Sequence, residues 1–174
     1  MSGQRQTAGE LYRAHAPFVA GFLLRLGVPR GEMDDVVQDV FVVAHRKGGF
    51  TPGAAKPTTW LAEIALRVWS NRKRAKRRRP AEPGGDLALD AVSAAASPEQ
   101  ALATQRSLER VQRCLDDLDL DHRAVFVLFE LEGEKCADIA AALGVPVGTV
   151  HRRLHTARAR FKAAYAALEG GSDG

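Results

Sequence analysis

The chain has 174 residues, 45% of them hydrophobic, enough for one ordinary core or two small ones, since units of roughly 70–80 residues fold alone only marginally. Its net charge of +4 is unevenly spread: residues 1–79 carry 15 Lys/Arg against 6 Asp/Glu, residues 80–120 carry 3 against 8, and residues 121–174 carry 7 of each, which suits a polyanion gripped at two points. The longest nearly apolar stretch, APFVAGFLL, is far short of the roughly 20 residues that span a bilayer, no apolar leader opens the chain, and two cysteines (Cys114, Cys136) exclude a disulfide framework, so a soluble cytoplasmic protein is expected.

Helical periodicity runs throughout and no alternating strand pattern competes with it, so the expected fold class is all-α. A first helix is predicted over about 7–26, stopping at Gly27 with Pro29 just beyond. A second is predicted over about 30–47, broken by Gly48 and Gly49. On it Met33, Val36, Val37, Val40, Phe41 and Ala44 share one face, the one that meets a core. Asp35, Gln38, Asp39 and Val42 share another, acidic on an otherwise basic unit, which suits a basic protein surface better than nucleic acid. FTPGAAKPT reads as a loop, and a third helix starts near Thr58 and runs into RVWSNRKRAKRRR, residues 67–79. It carries Trp60, Arg67, Trp69, Asn71, Arg72 and Arg74. Aromatic rings beside cations equip a surface for unstacked bases and their phosphates, although for Trp69 a place in the core is equally open.

PAEPGGDLALDAVSAAASP, residues 80–98, has no sustained amphipathic face and reads as a flexible linker. Helical segments follow in SPEQALATQRSLERVQRCL, with a cap-like start at Ser97 and Glu99, then in DHRAVFVLFELEG, in CADIAAAL, and from Val147 to about Leu168. The expected organisation is two small helical domains, 7–79 and 98–168, joined by the linker 80–97. In CADIAAALGVPVGTV a short helix with Ile139, Ala140 and Leu143 inward stops at Gly144, and three residues later the next helix begins. That spacing is what a helix-turn-helix needs to lay its second helix in a DNA major groove. On the last helix Val147, Val150, Leu154, Ala157 and Phe161 form the inward stripe. Opposite lie Gly148, Arg152, His155 and Thr156, flanked by Thr149, His151, Arg153, Arg158 and Arg160. Arg152 is placed for a bidentate guanine contact and Arg158 and Arg160 for phosphates, while Gly148 lets the backbone approach closely. A merely solvated face is the bland alternative. His151 and His155, at i and i+4, lack a third metal ligand nearby.

The order of DDVVQDVF, a WLAEIA helix running into basic residues, a linker, LFELEG, CADIAAALGVPVGTV and a basic helix resembles an extracytoplasmic-function (group IV) sigma factor of bacterial RNA polymerase, over about residues 11–168. The resemblance implies partners: the largest and second-largest subunits of core polymerase, promoter DNA and an anti-sigma factor, with no membrane insertion. It implies that Asp35, Gln38, Asp39 and Phe41 belong to the helix that docks on the clamp-helix coiled coil, Phe41 packing inside. Lys56, Trp60, Arg67, Asn71, Arg72 and Arg74 match the part that captures a flipped base of the minus-10 element and holds the melted strand. Pro146, Gly148, Thr149, His151, Arg152, His155, Thr156 and Arg158 match the minus-35 reader. Glu82, Asp86 and Asp90 fit a nucleic-acid-mimicking role in the linker. The chain departs from the family at Leu66-Arg67, at His151-Arg152, at Thr156 and at Phe129, whose ring, exposed where an arginine is common, could mark a protein contact.

No catalytic residue, cofactor or metal site is expected: the sequence has no P-loop and no nucleophile with a base partner. A stand-alone helix-turn-helix regulator would account for the C-terminal unit but leaves the acidic face and the Trp60 helix without a role. A nucleic-acid-processing enzyme would need a carboxylate cluster beside the basic tract, where the sequence offers Glu63 alone.

Overall fold

The computed structural model describes residues 3–53, 55–79 and 97–171. The proposed linker carboxylates Glu82, Asp86 and Asp90 lie outside the described residues. Three helices form the N-terminal unit: α1 (Ala8–Arg25), α2 (Arg30–Arg46) and α3 (Pro57–Arg77). Helices α1 and α3 start where local chemistry satisfies or excuses the first backbone donors. Thr7 closes a capping box with Glu10 on α1, and Pro57 occupies the first turn of α3, where its missing N–H costs nothing. The three helices pack on one another around Leu11, Phe22, Leu23, Val36, Val40, Leu61 and Ile64, all essentially solvent-free. Burial of each such side chain stabilises by roughly 1.5–3 kcal/mol.

An antiparallel bridge ties Gln6 to Phe50, with reciprocal backbone hydrogen bonds of 2.9 Å. It passes over Gly49, whose φ is +85° and where an added Cβ would run into the Gln6 carbonyl. The bridge seats Phe50 below Trp60.

The C-terminal unit comprises α4 (Pro98–Asp116), α5 (Leu120–Phe126), a π-helical turn (Val127–Leu131), α6 (Cys136–Leu143) and α7 (Val147–Gly170). The α4 capping box closes from Ser97 through Gln100 rather than Glu99, because Gln100 stands at the third helical position, from which a side chain reaches back to the cap N–H. Helix α7 is the spine: α4, α5 and α6 all pack on it. Gly144 ends α6 in the left-handed region at φ +65°, ψ +35°, and the turn to α7 follows. Val150, Leu154 and Ala157 are buried as the stripe requires, with Phe161 packed against them. Val147 departs from it: it is 46% exposed, and the buried stripe begins at Val150.

The two units are packed together, α3 lying against α5 and α6. No helix among the described residues is long and apolar enough to cross a membrane.

Candidate nucleic-acid and polymerase interface

On α2 the buried face holds Val36, Val40, Phe41 and Ala44, and the opposite face shows Asp35, Gln38 and Val42 to solvent. Phe41 is 7% exposed and meets the Tyr12 ring edge-on at 5.0 Å, so it supports this face from beneath and is no part of its surface. Asp35 and Gln38 make no side-chain hydrogen bond among the described residues. Asp39 does: it accepts from Arg72 Nη2 at 2.7 Å and from Arg72 Nε at 3.1 Å. Glu32, about two turns earlier on α2, pairs with Lys76 and lies 3.9 Å from Arg72. The basic tract therefore has two carboxylates beside it that chain order hid, since they arrive from another helix.

Trp60 is half-buried, its ring 5.6 Å from that of Phe50. Beside it opens a cavity of about 510 Å³ lined by Lys47, Phe50, Thr51 and Trp60 among others. An aromatic floor with a lysine at its edge can accept a flat base and its phosphate. Trp69 cannot do so: it is 4% exposed, and its Nε1 donates to the Leu26 carbonyl at 3.2 Å, which resolves its open assignment in favour of the core. Asn71 is exposed; Arg74 is exposed and bonds to Ser70 at 3.4 Å; Arg67 pairs with Glu63 one turn before it. Lys56 reaches across to the C-terminal unit and pairs with Glu134 at 3.2 Å.

On α7, Pro146, Gly148, His151, Arg152, His155 and Arg158 are exposed and Thr149 and Thr156 half-buried. Among the described residues Arg152 and the two histidines have no partner, whereas Arg153 pairs with Asp121 at 3.1 Å and Arg160 with Asp119 at 3.4 Å. Arg158 pairs with Glu130 and places its guanidinium 5.1 Å from the centre of the Phe129 ring. Phe129 is thus half-buried beneath a cation and not an open ring. Among the described residues no group of three or more His, Cys, Asp or Glu side chains could hold a metal ion, and both cysteines are free.

Sequence reasoning missed the contacts between the units. Arg123 is 7% exposed; its Nη1 donates to the Leu26 carbonyl at 3.0 Å and to Asp116 at 3.1 Å, and its Nη2 to the backbone carbonyls of Asp116 and Leu118. Gln112 donates to the Arg25 carbonyl at 3.2 Å. The carbonyls at the end of α1, which have no partner in their own helix, are thus capped from the C-terminal unit. Burial lowers the Arg123 pKa, against the opposing charges of Asp116 and Asp119. Burial likewise lowers that of Lys73, aided by Arg123 and Arg77. A signal did exist in the sequence: a lone arginine in the apolar run RAVFVL is a buried charge in search of partners.

Two family descriptions match the chain: sigma-70 region 2 over residues 11–79, and sigma-70 region 4 over residues 108–161. The RNA polymerase sigma factor CnrH of Cupriavidus metallidurans is 35% identical over 93% of this chain and 88% of its own. The ECF RNA polymerase sigma-E factor of Escherichia coli is 34% identical over 75% of this chain and 72% of its own. Among solved structures, CnrH in complex with the cytosolic domain of CnrY superposes with a TM-score of 0.60 at 29% identity, covering 92% of this chain and 88% of that one. The sigma factor RpoE of Bartonella quintana, solved with the anti-sigma factor NepR, shares the fold, with a TM-score of 0.68 at 21% identity over 88% and 92%. Matches to both regions, one on the unit with the acidic α2 face and one on the helix-turn-helix, do not favour a stand-alone regulator; the chain belongs to the sigma-70 family and is an extracytoplasmic-function sigma factor of transcription initiation.

Proposed function

We propose that residues 7–79 act as the unit that docks on core RNA polymerase and holds the minus-10 strand, and residues 98–168 as the unit that reads the minus-35 element, with 80–97 between them. The observation that carries this reading is the division of α2: one face locked in the core by Val36, Val40 and Phe41, the other offering Asp35, Gln38 and half-exposed Asp39 to a basic partner. Asp35, Gln38 and Asp39 meet the polymerase, with Phe41 holding them in place. Trp60 and its cavity take an unstacked base, while Lys56, Arg67, Asn71, Arg72 and Arg74 track the strand. Gly148, His151, Arg152 and His155 face the major groove, and Pro146, Thr149, Thr156 and Arg158 border it. The chain works by binding, in the cytoplasm, without catalytic residues or cofactor of its own. An anti-sigma factor is a further partner, as the structures of CnrH with CnrY and of RpoE with NepR suggest for this fold.

Direct binding of the full chain to purified bacterial core polymerase tests the reading. Asp35→Arg, at a residue with no internal partner among those described, is expected to weaken binding by on the order of a hundredfold, since like-charge contact at an interface costs several kcal/mol. Its thermal unfolding should match the parent chain. Unchanged binding by a folded Asp35→Arg protein would remove the docking face.

A further inference from the structure

We propose that the internal ion bridge between α2 and α3 couples polymerase docking to strand binding, each event releasing the charge the other needs. This rests on the reading of Asp39 as a docking residue and goes beyond it. Asp39 stands on the face assigned to polymerase and Arg72 on the helix assigned to the melted strand, yet in the isolated chain they hold each other: both Nη2 and Nε of Arg72 aim at one Asp39 carboxylate oxygen, at 2.7 and 3.1 Å. A turn further along α3, Lys76 is held in the same way by Glu32, its ammonium 5.9 Å from the centre of the Trp69 ring. Two of the cations of the basic tract are therefore neutralised from α2 until a competitor arrives.

A guanidinium has a fixed fork of donors; committed to a carboxylate, it has less to offer a phosphate. When a cationic polymerase surface engages Asp39, the anion is withdrawn and Arg72 turns to DNA. When DNA phosphate captures Arg72, Asp39 is left unpaired and ready for polymerase. Linkage makes the two effects equal in size. Both side chains remain partly in water, 31% and 49% exposed, so the bridge is of the modest, screened kind, and the coupling is about two- to fivefold at low salt. The arrangement also lowers the affinity of the free chain for nucleic acid it meets without polymerase.

The test uses the full chain and two titrations, one with core polymerase and one with a fluorescent oligothymidylate as the strand probe. Asp39→Asn keeps shape and removes charge; it is expected to tighten oligothymidylate binding about two- to fivefold and to steepen its salt dependence, because one more cation becomes available. Glu32→Gln, which frees Lys76, is expected to shift the oligothymidylate titration in the same direction. Arg72→Gln is expected to tighten core polymerase binding by a similar factor, and to lose that effect in the Asp39→Asn background. A purely structural bridge predicts the opposite sign for Arg72→Gln, so unchanged or weaker polymerase binding by that variant overturns the coupling while leaving the docking face intact. If Asp39→Asn leaves polymerase binding unchanged, the docking role of Asp39 fails, and the polymerase half of the coupling with it.

Discussion

Arg152 differs from its neighbours on α7 in having no partner among the described residues. Arg153, Arg158 and Arg160 are engaged by Asp121, Glu130 and Asp119, whereas Arg152 projects from the exposed face with a guanidinium still available for two parallel hydrogen bonds. A bidentate arginine on guanine discriminates by about 1–3 kcal/mol. Arg152→Ala should therefore cost about that much at one promoter position and relax specificity there, measured by competition among single-base variants of the bound site. Uniform weakening across all variants would make it a phosphate contact. Arg158 is already committed to Glu130 and the Phe129 ring, so Arg158→Ala should loosen the π-helical turn as well as any DNA contact.

At the level of elements, the helix-turn-helix depends on one backbone conformation. Gly144 sits at φ +65° with open space where a Cβ would project, so a side chain there meets no clash; the strain is that of the left-handed conformation itself. Gly144→Val should lower stability by about 1–2 kcal/mol, a β-branched residue being poorly tolerated at positive φ, while Gly144→Asn should cost less. Urea unfolding of both variants, ranked in that order, checks the assignment. Asp119 plays a comparable part at the start of α5, where its carboxylate accepts from the His122 backbone N–H at 3.1 Å. Burial pushes the Asp119 pKa up, but the His122 hydrogen bonds, with the charges of His122 and Arg160, bring it below the ordinary 3.8. Its contribution is thus complete above pH 3.8 and is lost as the pH falls through the lower folded value.

For the molecule as a whole, the closed arrangement sets a requirement. Helix α3, with Arg67 and Arg74, faces the α6–α7 turn across a cavity of about 210 Å³ that both units line, and Lys56 is tied to Glu134. On the proposed division of roles, reading two separated promoter elements requires the units to part, and Arg123 is a buried charged contact that must then break, since it donates from across the boundary to the Leu26 carbonyl it shares with Trp69. Arg123→Gln should raise the open fraction by about tenfold or more, the worth of a charge-assisted hydrogen bond of about 1.5–3 kcal/mol. Resonance energy transfer between one dye in each unit would report it. Gln112→Leu, which removes the bond to the Arg25 carbonyl, should act in the same direction and more weakly. An unchanged distance distribution in both variants would show that the apolar contacts alone hold the units together.

The sequence by itself determined the helices and which side of each is apolar, because periodicity, Gly144 and the proline and glycine stops act over a few residues. It also determined that DDVVQDVF and the α7 basic face exist as separate charged surfaces. Only the tertiary structure decided which charges are free. Asp39 meets Arg72 across 33 residues and Arg123 reaches Leu26 across 97, pairings set by how helices pack and by no local pattern. Trp69 went to the core rather than to DNA for the same reason: burying its ring and bonding its N–H to the end of α1 required another helix to be there.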